Sequence, residues 1–247
     1  TKMGQVKKTS LEQYSRPRSN GINAITIKEG DELLAAKLTN GNSQIMLAVQ
    51  SGKAIRFEES KTRPMGRNAS GVRGIRLKDS KDVVVGMISV NDMDANILVV
   101  SENGYGKRSS LEDYRLTNRG GKGVKTISIT EKTGKLVTLK SVSDNDDLMI
   151  INKSGIAIRM QVEDLRVMGR ATQGVKVISI KDGDSIAAVA KVMKDDEFKI
   201  VDAVKGLKGK SKGAIIWICE TPKGDRFNVV PNGTMESRKI LWGAFIR

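Results

Sequence analysis

Apolar runs of five or six residues, too short for buried helices, recur along the first 194 residues between glycine turns. Ile45-Met46-Leu47-Ala48-Val49 has the length and composition of a strand. Ser51-Gly52 follows as a hairpin turn, where glycine supplies the positive φ such turns require. Ala54-Ile55-Arg56-Phe57 then reads as a second strand. After a polar, glycine-rich loop from Lys61 to Gly71, Val72–Leu77 predicts a third strand and Val83–Val90 a fourth. The same order returns at Asn96–Val100, Lys107-Arg108, Val124–Ile129 and Leu136–Val142. It returns again at Leu148–Ile151, Ile156–Met160, Val175–Ile180 and Ile186–Val192. A first copy lacks the opening strand and begins at its turn.

Set in register, the copies share two glycines and a base. The turn glycines are Gly4, Gly52, Gly104 and Gly155, and four residues later stand Lys8, Arg56, Arg108 and Arg159. The second glycines are Gly21, Gly71, Gly123 and Gly174, placed 17, 19, 19 and 19 residues after the first. Four strands in a repeat of about fifty residues is the size of a propeller blade. The expected fold is therefore all-β, a propeller of four-stranded blades over approximately 1–43, 44–93, 94–144 and 145–194. Tyr14, Tyr114 and Leu165 sit ten residues after their turn glycines. Their shared apolar character predicts core packing, not catalysis.

Composition narrows the function. Lys and Arg number 43 against 28 Asp and Glu, a net charge of +15, which points to a polyanionic partner and first to nucleic acid. There is no histidine, so no His-dependent triad or zinc-protease motif exists, and no metal or other cofactor is expected. The single cysteine, Cys219, excludes an internal disulfide framework and fits a reducing compartment. No apolar run approaches the roughly 20 residues of a membrane helix, and no signal-peptide pattern is visible. The chain opens on Thr1-Lys2-Met3-Gly4, as a fragment would.

The loop before the third strand is the candidate binding element. Its copies read Met65-Gly66-Arg67-Asn68-Ala69-Ser70-Gly71-Val72-Arg73, Asn118-Arg119-Gly120-Gly121-Lys122-Gly123-Val124-Lys125 and Met168-Gly169-Arg170-Ala171-Thr172-Gln173-Gly174-Val175-Lys176. Each has a base four residues before the glycine and another two after it. The first copy departs from this, with Arg16 and Arg18 around Pro17. Glycine lets backbone approach a phosphate, and Arg and Lys supply charge and donors. Such contacts position a duplex without reading its bases. The expected DNA-binding set is Lys8, Arg16, Arg18, Arg56, Arg67, Arg73, Lys107, Arg108, Arg119, Lys122, Lys125, Arg159, Arg170 and Lys176. The duller reading of any one loop is an ordinary polar connection, which the recurrence in register disfavours.

At these stretches residues 1 to about 194 resemble the C-terminal domain of DNA gyrase A, a β-pinwheel. The likeness is carried by Gly4-Gln5-Val6-Lys7-Lys8-Thr9, Asn103-Gly104-Tyr105-Gly106-Lys107-Arg108, the run from Ile45 to Leu77, and the Met168–Val175 loop. It implies a basic rim that wraps double-stranded DNA and biases strand passage toward negative supercoiling. It implies further partners in the rest of gyrase A and in gyrase B, and a cytoplasmic, nucleoid-associated location without a membrane. The family's gyrase box, Gln-Arg-Arg-Gly-Gly-Lys-Gly, is approached only by Asn118–Gly123. Neither the DNA-cleaving tyrosine nor the ATPase of the full enzyme is expected in this chain. Related alternatives are the corresponding domain of topoisomerase IV and a propeller serving as a protein-interaction platform.

Residues 195–247 break the pattern. They begin at Asp195-Asp196-Glu197 and hold five of the nine aromatic residues. Strands are expected at Phe198–Val201, Ala214–Cys219 and Asp225–Val230, a basic loop at Lys205–Gly213 and a short helix after Asn232–Arg238. Trp217 and Cys219 are expected in a core. The segment is similar to part of the OB domain of ATP-dependent DNA ligases, but the Lys-x-Asp-Gly motif of a ligase nucleophile is absent. An enzyme fragment of ligase type is thereby disfavoured.

Overall fold

The computed structural model describes residues 1–90, 92–181 and 183–192, and the strand segments 199–205, 215–220 and 226–229. The chain divides into two compact units, Thr1–Val192 and Met193–Arg247.

The first unit is built from thirteen strands among the described residues, with no α-helix. They are β1 (Gln5–Val6), β2 (Gln44–Val49), β3 (Lys53–Glu58), β4 (Val72–Arg73), β5 (Val84–Val90), β6 (Asn96–Ser101) and β7 (Tyr105–Ser110). There follow β8 (Val124–Lys125), β9 (Leu136–Val142), β10 (Asp147–Asn152), β11 (Ala157–Gln161), β12 (Val175–Lys176) and β13 (Ile186–Val192). In the three repeats from residue 44 onward the expected first, second and fourth strands are present near their expected bounds, whereas the first repeat contributes only the strand β1. The third is paired over only two residues.

The third strand also changes address. Instead of completing the sheet of its own repeat, it crosses to the sheet of the repeat before. The sheets run β5-β2-β3-β8 and β9-β6-β7-β12, so β8 and β12 each come from the following repeat. β4 likewise pairs with β1. The register repeats faithfully: Gln5 faces Arg73, Lys53 faces Lys125 and Tyr105 faces Lys176. The last sheet of this unit, β11-β10-β13, has three strands.

Blades packed on both faces explain the continuous apolar runs. In β2, Met46 and Ala48 join a core with Ile97 and Val99 of β6 on one side. Leu47 and Val49 join Ile75 and Val84 on the other. In β6 the alternation repeats, since Leu98 and Val100 turn toward Leu148 and Ile150 of β10. A strand with one wet face would alternate polar and apolar, and these do not.

Tyr114 and Leu165 lie in those cores. The Tyr114 hydroxyl bonds to Thr126 Oγ1, and burial raises the phenol above its ordinary pKa. Tyr14 is only half-buried. In the second unit β14 (Lys199–Lys205), β15 (Ile215–Glu220) and β16 (Arg226–Val229) form an antiparallel meander. The expected 205–213 loop beyond Lys205, the helix after Asn232–Arg238 and the side chains of Trp217 and Cys219 lie outside the described residues.

Candidate nucleic-acid interface

Each blade junction is made by the residues that mark the repeat. The turn glycines have φ of 79°, 82°, 78° and 86° at Gly4, Gly52, Gly104 and Gly155. In the first three the carbonyl accepts an N–H from the next repeat: Gly74 N to Gly4 O at 2.8 Å, Thr126 N to Gly52 O at 2.9 Å, Val177 N to Gly104 O at 2.9 Å. A Cβ on Gly52 would stand 2.5 Å from Ile129 Cγ1 and 2.9 Å from Ile127 O.

The second glycines serve the same packing. A Cβ on Gly71, Gly123 or Gly174 would stand 2.5, 2.5 and 2.7 Å from Val6 O, Ala54 O and Gly106 O of the preceding repeat. The close approach that these glycines permit is to the backbone of the preceding repeat. Bare carbonyls pressed against Cα explain it: any side chain would push the exchanged strand off its neighbour.

The bases four residues after the turn glycine follow the same logic. Arg56 is 7% exposed, and its Nη1 donates to Leu111 O at 2.9 Å and Tyr114 O at 3.1 Å in the next repeat. Its Nε donates to Gln44 Oε1, and burial lowers its pKa. Arg108 is equally buried; it donates to Leu165 O and pairs with Asp144. Lys8 donates to Glu59 O at 3.3 Å and lies 3.4 Å from the Glu59 carboxylate. Arg159 is the exception: it is exposed and, among the described residues, paired with Asp147 within its own sheet at 2.7 Å. Lys107 is fully buried and donates to Gly169 O at 2.5 Å and Thr172 Oγ1 at 3.1 Å. Of the expected DNA-binding residues, Arg56, Lys107 and Arg108 are thus buried and Lys8 half-buried, and all four tie their repeat to the next. Their donors are aimed at carbonyls because the exchanged strand brings the next repeat's backbone over them.

The loop arginines are half-buried and linked in series. Arg67 Nη1 donates to Asn23 O at 3.3 Å, Arg119 Nη1 to Arg73 O at 3.0 Å, and Arg170 Nη1 to Lys125 O at 2.8 Å. Each acceptor lies two residues after the second glycine of the preceding repeat. A planar guanidinium has five N–H donors, so one such tie leaves others for a ligand. The side chains of Arg16, Arg18, Arg73, Lys122, Lys125 and Lys176 are exposed.

One exposed set was missed. Arg63, Arg115 and Arg166 each stand eleven residues after a turn glycine, all exposed and outside every ion pair among the described residues. The repeat register alone would have found them. They follow the packed position of Thr62, Tyr114 and Leu165, which is buried in all three, so the next side chain must point outward.

No cluster of His, Cys, Asp or Glu able to hold a metal exists among the described residues. No described helix is long and apolar enough to cross a membrane. The site is cationic and repetitive.

Comparison with known proteins accords with this geometry. The family described as DNA gyrase C-terminal domain, beta-propeller, matches residues 1–40, 44–91, 95–143 and 146–193. Similar curated proteins include the DNA gyrase A proteins of Staphylococcus epidermidis and of Staphylococcus aureus. Each is 46% identical over 198 residues, which is 80% of this chain and 22% of the relative. The chain thus spans about a fifth of the length of those relatives. Among solved structures, the C-terminal domain of DNA topoisomerase IV is similar with a TM-score of 0.73 and 25% identity, over 78% of this chain and 60% of that one. The DNA gyrase A C-terminal domain is similar with a TM-score of 0.69 and 25% identity, over 78% and 64%.

Proposed function

The chain belongs to the family of DNA gyrase C-terminal β-propeller domains, and from that premise we propose that it binds and bends duplex DNA along the outer ends of successive blades. The observation that carries this reading is the recurrence of exposed cations at fixed registers: Arg63, Arg115 and Arg166 at one, and Arg73, Lys125 and Lys176 at another. Neighbouring blades are locked together by the buried ties, so these charges are held at fixed intervals. A phosphate backbone can follow such a row by bending, with the deformation offset by contacts at each blade.

Within a gyrase A protein this contact would wrap DNA and direct strand passage toward negative supercoiling, with the rest of gyrase A supplying cleavage and gyrase B supplying ATP hydrolysis. The setting would be the bacterial nucleoid. Gyrase is preferred over topoisomerase IV because the curated relatives at 46% identity are gyrase A proteins. For residues 195–247 the antiparallel meander supports an OB-like β-unit.

The test is equilibrium binding to a duplex without sequence features, across a salt series. Affinity should fall steeply with salt, with each phosphate contact contributing about 0.9 to the log–log slope. The triple variant Arg63→Gln, Arg115→Gln, Arg166→Gln should lower that slope. An unchanged slope and affinity would sink the rim assignment. Wrapping is tested separately, by relaxing closed circular DNA with a nicking-closing enzyme in the presence of the chain. No shift in linking number would leave contact without chiral wrapping.

A further inference from the structure

Two lysines in this chain sit beneath the base-bearing loops instead of on them. Lys107, three residues after Gly104, is fully buried yet donates to Gly169 O and Thr172 Oγ1 of the following repeat. Lys7, three residues after Gly4, bonds to Arg67 O of the following repeat and to Ala24 O. Both therefore grasp the main chain of a Met-Gly-Arg loop, at 65–71 and at 168–174, from the blade before it.

The repeat between them does it differently. Its residue at that place is Ile55, and the loop above is Asn118-Arg119-Gly120-Gly121-Lys122-Gly123. A Cβ on Gly121 would meet Ile55 Cδ1 at 3.4 Å, so this loop rests on an apolar contact. Loop sequence and the residue beneath it change together: lysine under Met-Gly-Arg, isoleucine under the glycine-rich loop. Burying an ammonium carries a large desolvation cost unless acceptors meet it; both acceptors of Lys107 and one of the two of Lys7 belong to the loop. That cost is visible in Lys107, whose pKa is lowered to about 8, first by burial and then by Arg170 and Lys125, against the opposing pull of Asp113. Lys7 is lowered as well, by burial and then by Arg67.

We propose that Lys7 and Lys107 are positioning residues, which hold the Met-Gly-Arg loops in a DNA-ready shape without touching the DNA. The chain then carries two kinds of loop in alternation, one clamped by a lysine and one seated on Ile55. A clamped loop has less freedom to lose on binding, so its arginine is preorganised.

This inference rests on the DNA-binding reading, and its test separates the two. In the full chain, amide hydrogen exchange is compared for Lys107→Met, Lys107→Arg and the unaltered protein. Exchange in 168–174 should rise in Lys107→Met, stay unchanged in 118–123, and be largely restored in Lys107→Arg. Unchanged protection of 168–174 would overturn the clamp whatever the protein binds. The same variants are titrated with duplex DNA across salt. Lys107→Met should weaken binding about three- to tenfold with the log–log slope retained, because no phosphate contact is lost. A slope lower by about 0.9 would mean that Lys107 contacts a phosphate itself, and positioning would be refuted. No DNA binding by the unaltered chain would refute the function proposed above while leaving the exchange result to decide the clamp. Should Lys107→Met fail to fold, Thr172→Val removes an acceptor from the other side. It should loosen the same loop, and protection equal to the unaltered chain would count against the proposal.

Discussion

Arg56 and Arg159 hold the same place in their repeats and live under different physics. Arg56 is enclosed by the next blade and commits its donors to Leu111 O and Tyr114 O. Arg159 stands on the last sheet of its unit, where its guanidinium is exposed and meets Asp147 of the same sheet. The same contrast runs through the glycines. Gly52 is pressed against Ile127 and Ile129 of the next repeat, whereas nothing among the described residues lies within 4 Å of a Cβ on Gly155. Sequence position in a repeat therefore does not confer a role; the neighbouring blade does.

The largest expected effect tests the glycines. Gly52→Ala should destabilise the first unit by about 3 kcal/mol or more, from positive φ and backbone collision together, as read by chemical denaturation. Gly155→Ala should cost about 1–2 kcal/mol, from φ alone. Equal losses would show that the turn conformation, and not the junction, sets the requirement. Next come the arginines. Arg56→Met strands two buried carbonyls and should cost about 2–4 kcal/mol. Arg159→Met removes an exposed guanidinium but leaves the buried Asp147 carboxylate behind, and should cost less than Arg56→Met, about 1–2 kcal/mol. A large loss at Arg159 would break the comparison.

The pH dependence is smaller and has a definite sign. Lys107 is lowered to about 8 in the fold, so between about pH 8 and its ordinary value near 10.5 the unfolded chain binds more protons. Stability contributed through this group should rise with pH across that window. Lys107→Met should flatten that part of the profile, measured as ΔG of unfolding against pH. The smallest effect on stability belongs to the exposed set. Each of Arg63→Gln, Arg115→Gln and Arg166→Gln should stay within about 0.5 kcal/mol of the unaltered chain while weakening DNA binding. Loss of binding accompanied by a large loss of stability would place these residues among the junctions.

Much of this architecture is legible in the residues themselves. β2, β6 and β10 follow from apolar runs of strand length, and in β2 and β6 burial on both faces explains why polar residues do not alternate within them. The turn glycines are legible because a hairpin needs positive φ. The destination of Val72-Arg73, Val124-Lys125 and Val175-Lys176 is not. A two-residue apolar-basic strand pairs equally well with its own sheet or a neighbour's, and only the path of the chain decides between them.

That exchange is where sequence and tertiary structure part. The order of residues alone determined a four-fold β-repeat, its register and an excess of positive charge at fixed places within it. These are local matters of periodicity, turn conformation and composition. Which of those charges face solvent was decided only when each third strand crossed to the preceding blade. The crossing laid backbone carbonyls over Arg56, Arg108 and Lys107 and left Arg63, Arg115 and Arg166 outside. Burial depends on what packs from far along the chain, and a single repeat does not contain its neighbour.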